Sequence, residues 1–234
     1  MEKQIIEKLR KLLALANDRA ATEAEAQAAM GKVQQLLAAH KLSMSDLETS
    51  DNEEVGRDGI HIGRKSWQFF LYAAAAKVCF SMAFQSGQSV MIVGRLSDVA
   101  AAKCLGEYLC STGPKMLKAA SLSGKAQSNS WKLGYSHRIW ERAHDIVRKA
   151  RENKVQDSVT GKEMILHPLY SRAEKEISTY LASQGIRLRG SSSRSTVSSR
   201  DAYASGRESG NSVHLGTNVI SGGGSGVLGI GYKG

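Results

Sequence analysis

Apolar residues recur through the first forty positions with a helical period. Ile5, Leu9, Leu12, Leu13 and Ala16 fall at i, i+4, i+7, i+8 and i+11, one stripe of an amphipathic helix. The polar "NDRA" breaks it. Thr22 with Glu25 three residues later forms a capping box for a second helix, whose stripe runs through Ala29, Val33, Leu36, Leu37 and His40. His40, at the helix end, complements the helix dipole there. Two matched stripes across a short loop predict an antiparallel helical hairpin over residues 1–49. "SMSD", Ser43 to Asp46, offers a cap for a further short helix, and the acidic "ETSDNEEVGRDG" reads as part of a linker, residues 50–65.

From Ser66 to Lys77 the spacing is helical again, with Trp67, Phe70, Leu71 and Ala74 on one side. "VCFSMAF" and "SVMIVGR" then alternate around "QSGQ" and predict a β-hairpin. Ser97 and Asp98 offer an N-cap for a helix carrying Ala101, Cys104, Leu105, Tyr108 and Leu109 on one face. Pro114 in "STGP" lacks a backbone donor and is expected to interrupt that helix. A second amphipathic segment follows, then a long helix over about Asn129 to Arg151. "KVQDSVTGKEMILHP" reads as a loop, and Arg172 to Ser183 returns to helical spacing. From Gly190 onward roughly half the residues are Ser or Gly, a composition expected to contribute no core. Within it "SSRDAYASGRESG" reads as a short helix and "SVHLGTNVI" as an edge strand. The pattern thus predicts a helix-rich α+β protein. It has an N-terminal hairpin, a small hairpin sheet packed by helices over residues 66–185, and a flexible Gly/Ser-rich tail over 186–234.

Charge changes this picture more than composition does. Of the 234 residues, 1–66 hold 10 Lys/Arg against 11 Asp/Glu, whereas 67–234 hold 22 against 11. A net excess of +11 in one region favours a polyanionic partner, nucleic acid first. Along Lys115 to Lys154 the candidate phosphate contacts are Lys115, Lys118, Lys132, Arg138, Arg142, Arg148, Lys149 and Arg151. Arg187, Arg189 and Arg194 in the tail extend the set as an arm that folds on phosphate backbones. Trp131 and Tyr135 are candidates for stacking on unpaired bases, whereas Trp140 reads as core.

"HRIWERAHD" places His137, Glu141 and His144 on one helical stripe, a weak candidate for a metal or acid–base site. Four neighbouring arginines oppose metal binding, the H-E-x-x-H order is absent, and further ligands would have to come from His167 or His214. The stripe therefore reads as a solvated basic face, with no metal and no cofactor implied. Gly224 to Gly229 match G-x-G-x-x-G, but too little chain follows for the helix that a dinucleotide site needs. Cys79, Cys104 and Cys110 form no C-x-x-C pair, and no nucleophile–base order stands out. With a charged start and an apolar run from Phe69 to Phe84 broken by Lys77, the chain reads as cytoplasmic and free of membrane spans.

"IIEKLRKLLALANDRAATEAEAQAAMGKVQQLLAAHKLSMSDL" resembles the N-terminal signature of an uncharacterised family of phage and bacterial proteins, a domain of unknown function. "VGRLSDVA", "LGYSHRIW" and "DAYASGRESGNSVHL" are similar to that family's companion region. The resemblance implies a phage or mobile-element setting and an α+β layout, and carries no reaction. The expected function is a non-enzymatic accessory protein binding nucleic acid non-specifically. The alternatives are a protein-binding modulator of a host defence enzyme, and a metal-dependent hydrolase or nuclease.

Overall fold

The computed structural model describes residues 53–63, 66–152, 155–156, 163–164, 167–190, 196–213 and 215, with positions 8, 11, 12 and 32. The hairpin expected over 1–49 lies outside the described residues apart from those four positions, which are helical. Leu12 among them packs against the main core.

In chain order the elements are β1 (Val55–His61), α1 (Ser66–Val78), β2 (Met82–Ser86), β3 (Ser89–Arg95) and α2 (Leu96–Ala119). There follow α3 (Lys125–Glu152), the short β4 (Val155–Gln156) and β5 (Glu163–Met164), α4 (His167–Ser183) and α5 (Arg200–Ser212). The described residues form a helix-rich α+β fold around a three-stranded antiparallel sheet of order β1–β3–β2; β4 and β5 make a separate small ladder. The expected hairpin is β2–β3, closed between Ser86 and Ser89 with Gly87 at a φ of 58°, which a two-residue turn demands.

The sheet is covered on both faces. Val90 and Ile92 of β3 join the main core with α1, α2 and α3, whereas Val93 meets Ile177 and Leu181 of α4. Helix α1 is buried on several sides, through Leu71, Tyr72, Ala74, Ala75, Ala76 and Val78. Its alanines let neighbours approach from each direction, which is why its apolar pattern is not a single stripe.

Three expectations need correction. Residues 50–65 are not simply a linker, because β1 pairs with β3 from Val55↔Arg95 to His61↔Ser89. Its glycines and charges hide a one-sided strand: Gly56 and Gly59 lie under the side chains of Leu96 and Met91, where a Cβ would come within 2.8 and 3.0 Å. Glu53, just before it, accepts a hydrogen bond from the Ser97 backbone at 2.7 Å. That carboxylate caps α2 in place of Ser97 or Asp98.

Second, Pro114 does not end a helix. Helix α2 runs through it, since Leu109, Thr112 and Gly113 are buried beside it. Gly113 fits closely beneath the Tyr135 and Trp67 rings. Packing on both sides outweighs the one hydrogen bond that proline forgoes.

Third, the tail is not uniformly a flexible appendage. Helix α5 lies parallel to α3, and Ala202, Val213 and Leu215 are in the main core. A Cβ on Gly134 would stand 2.0 Å from the Tyr203 carbonyl oxygen, and one on Gly206 would stand 2.1 Å from that of Trp131. Ser, Ala and Gly cannot supply apolar bulk, yet here they supply closeness. Backbone packs on backbone, and dispersion over that surface replaces large side chains. The edge strand expected over "SVHLGTNVI" falls mostly outside the described residues; Ser212 is the last residue of α5 and Val213 its extended C-cap.

Candidate functional site

Helix α3 carries most of the candidate residues, and α5 rearranges their roles. Ser130, fully buried, accepts from the backbone N–H groups of Ser198 and Ser199 at 3.0 and 3.1 Å, seating the start of α5. At the other end the Arg142 guanidinium donates to the carbonyls of Gly210 and Val213 at 2.6 and 2.7 Å. A cation on these last carbonyls complements the C-terminal end of the helix dipole. Burial lowers the Arg142 pKa, although arginine keeps its charge.

The stripe of "HRIWERAHD" is only partly a solvated face. The Glu141 carboxylate takes a bidentate pair from Arg207 of α5, both bonds 2.7 Å, and a third bond from Arg138 at 3.3 Å. These hydrogen bonds, Arg207 first, hold Glu141 below the usual carboxylate range. His137 Nδ1 stands 3.1 Å from the Tyr203 hydroxyl, and its ring meets Phe70 edge-on at 4.7 Å. Burial is the main reason its pKa is lowered. His144 turns elsewhere: its Nδ1 donates to the Trp140 carbonyl at 2.9 Å. The three side chains therefore do not converge. Among the described residues no group of three metal-ligating side chains assembles.

The basic candidates divide in two. Arg138 donates to Asn211 at 2.6 Å, Arg142 caps α5, Arg148 pairs with Asp145 at 2.9 Å and Arg151 pairs with Glu174. Lys115, Lys118, Lys149, Arg187 and Arg189 are exposed and Lys132 half-buried, and none has an acidic partner among the described residues. Arg194 lies outside the described residues, as do His214, the G-x-G-x-x-G segment and the side chain of His167.

Four of the lysines gather at one corner. Lys115 and Lys118 occupy the end of α2, Lys125 begins α3, and Lys132 follows two turns later. No Asp or Glu occurs between Glu107 and Glu141.

The aromatic assignments are reversed. Trp131 and Tyr135 are both 0% exposed and stack on each other at 5.1 Å, whereas Trp140 is 37% exposed. Helix α3 is packed by α1 and α2 on one flank and α5 on another, so its buried surface at this end is far broader than one stripe.

Trp140 stands at a cleft of about 200 Å³ between α1, α3, α4 and the Phe80–Ala83 segment. Lys77, His144, Arg151 and Glu174 supply its polar groups, and Phe80 and Tyr170 stack within its wall at 4.3 Å. Phe80 has a φ of 55°, and Ser81 donates to the Ala76 carbonyl at 2.8 Å. This is the Schellman end of α1, with phenylalanine where glycine is usual. Composition flagged none of this. Lys77 was visible only as an interruption of an apolar run, and the positions of Tyr170 and Glu174 depend on how α4 packs.

A family model described as "Protein of unknown function (DUF2786)" matches residues 4–44. The match covers the predicted hairpin and neither the corner nor the cleft. No curated protein and no solved structure matches the chain. No helix among the described residues is long and apolar enough to cross a membrane.

Proposed function

We propose that the protein binds nucleic acid without sequence specificity, as an accessory protein of a phage or mobile element, through the corner where α2 meets α3. The observation that supports this most directly is the run of lysines at 115, 118, 125 and 132 with no carboxylate between Glu107 and Glu141. Unpaired ammonium groups on two successive helices match the spaced charges of a phosphate backbone, and such contacts carry affinity without base information. The arginines of α3 take a structural part in this reading. Guanidiniums that cap α5 or pair with Glu141 and Glu174 are not free for phosphate.

The test is a salt titration of binding to single- and double-stranded DNA and RNA. Affinity is expected to fall by about 0.9 log units per log unit of salt for each duplex phosphate neutralised. Lys115→Glu, Lys118→Glu and Lys125→Glu together should abolish binding while leaving the melting temperature nearly unchanged, because all three are exposed. Absence of binding to every probe at low salt would overturn the proposal.

A further inference from the structure

The cleft beside Trp140 combines features that the corner lacks. Its floor is apolar, formed by Ala73, Val147 and Ile177. An exposed indole stands at its mouth, with the His144 ring 4.0 Å away. Lys77 and Arg151 bring positive charge, partly offset by Glu174. Arg148, one turn along α3 from His144, is exposed and paired with Asp145. Counting rotation along α3 from Trp140, His144, Val147 and Arg151 fall within about 40° of it, and Arg148 lies about 80° away. One helical edge thus offers a stacking surface and a hydrogen-bonding ring in sequence.

We infer that this cleft receives one unstacked nucleobase of a single strand, with the adjoining phosphate held by Lys77. The inference rests on the nucleic-acid reading and names the substrate class, single-stranded rather than duplex. At about 200 Å³ the cleft is smaller than the roughly 300–1,000 Å³ of pockets for drug-sized ligands, in keeping with a single base. Every base has a π-face that an exposed indole can stack upon, which makes the contact tolerant of sequence. His144 adds a bias. Its Nδ1–H is engaged by the Trp140 carbonyl, which leaves Nε2 as an acceptor. Burial lowers the pKa of the ring, with the Trp140 carbonyl opposing that shift and Lys77 adding to it. An acceptor at this place favours bases with an exocyclic amine, adenine, cytosine or guanine, over thymine or uracil.

The experiment compares the full-length protein, Trp140→Ala, Trp140→Phe and His144→Ala on oligo(dA), oligo(dT) and a duplex of equal length at one ionic strength. Trp140→Ala should weaken single-strand binding about 5- to 100-fold and leave duplex binding unchanged, with much of the loss restored by Trp140→Phe. His144→Ala should remove the preference of the wild type for oligo(dA) over oligo(dT). Tryptophan emission should be quenched by oligo(dA) in the wild type and not in Trp140→Phe, since Trp131 is fully buried and Trp67, packed over Gly113, does not line the cleft. Single-strand and duplex binding both unaffected by Trp140→Ala would overturn the inference while leaving the lysine corner standing. No binding of any probe by the wild type would overturn both.

Discussion

Replacing Gly206 by alanine tests the part of the fold that composition hides most. In an isolated helix this substitution stabilises by about 1 kcal/mol, because glycine has more conformational freedom to lose. Here the new Cβ would stand 2.1 Å from the Trp131 carbonyl oxygen and 2.9 Å from its carbon, against an ordinary contact of 3.4–4 Å. Both are backbone atoms, so no side chain can swing aside. The two helices must part by roughly 1 Å or more, loosening the dispersion contacts along their shared face. Separation also pulls on the Ser130 and Arg142 bonds at the two ends of α5. Overpacking of this kind costs about 1–3 kcal/mol or more, which exceeds the propensity gain. Urea denaturation should place Gly206→Ala about 1–3 kcal/mol below wild type. Ser205→Ala, exposed on the same helix, should be neutral or slightly stabilising. Gly134→Ala meets the Tyr203 carbonyl at 2.0 Å and should behave alike. The double variant should lose less than the sum, because helices parted once already accommodate the second methyl. A Gly206→Ala protein as stable as Ser205→Ala would refute the docking of α5 on α3.

Removing residues 196–234 should lower the melting temperature and expose Trp131 to quenchers, because Ala202, Val213 and Leu215 belong to the main core. At the end of α1, Phe80→Gly should be more stable than Phe80→Ala by about 1–2 kcal/mol, since only the alanine keeps the left-handed penalty; equal stabilities in denaturant would contradict the Schellman assignment. His137 and His144 both have pKa values lowered chiefly by burial, so the unfolded chain binds their protons more readily. Stability should therefore fall as pH drops below about 6.5, the ordinary histidine value, towards the lowered values. His137→Asn with His144→Asn should flatten that limb in pH-dependent melts, and an unchanged profile would count against the burial argument.

The elements legible in the sequence are those whose pattern follows from one partner. The β2–β3 hairpin and helix α1 fall close to where alternation and helical spacing put them. Strand β1, the unbroken α2 and the docking of α5 escaped because their stability is tertiary. Val55 to His61 carries two glycines and two charges, and only the register with β3 makes it a strand. Pro114 is a breaker by local rules, and the neighbours that overrule it, Trp67 and Tyr135, are remote in sequence. Helix α5 is held by small residues, which a hydrophobicity pattern scores as nothing. The same blindness reversed the tryptophans. A single stripe put Trp140 inside, whereas α3 is packed on several flanks and leaves Trp140 at a cleft mouth.

Charge was legible as a total and not as an arrangement. The excess of +11 over residues 67–234 is unaffected by internal pairing, since each Arg–Glu pair removes one charge of either sign. What pairing changes is which cations can meet a partner. Arginine forms planar, bidentate contacts, so it tends to serve inside the protein, as Arg207 does on Glu141 and Arg95 on Glu176. Lysine ammonium groups are more strongly hydrated, and although Lys103 pairs with Asp58, those of the α2–α3 corner remain outside. In this chain the divide is nearly complete between α3, where arginines cap and bridge, and the α2–α3 corner, where lysines stand free. Long-range attraction depends on the sum of both sets, whereas contact with phosphate depends on the lysines. Neutralising Arg142 should therefore act mainly through stability. Arg142→Met leaves the Gly210 and Val213 carbonyls without their cation and should cost about 1–3 kcal/mol. Binding per folded molecule should fall only by the modest effect of one lost charge. Lys118→Met should show the opposite split, a clear loss of affinity and of salt dependence at unchanged stability. Matching losses in both assays for both variants would mean that arginines and lysines are not divided in this way.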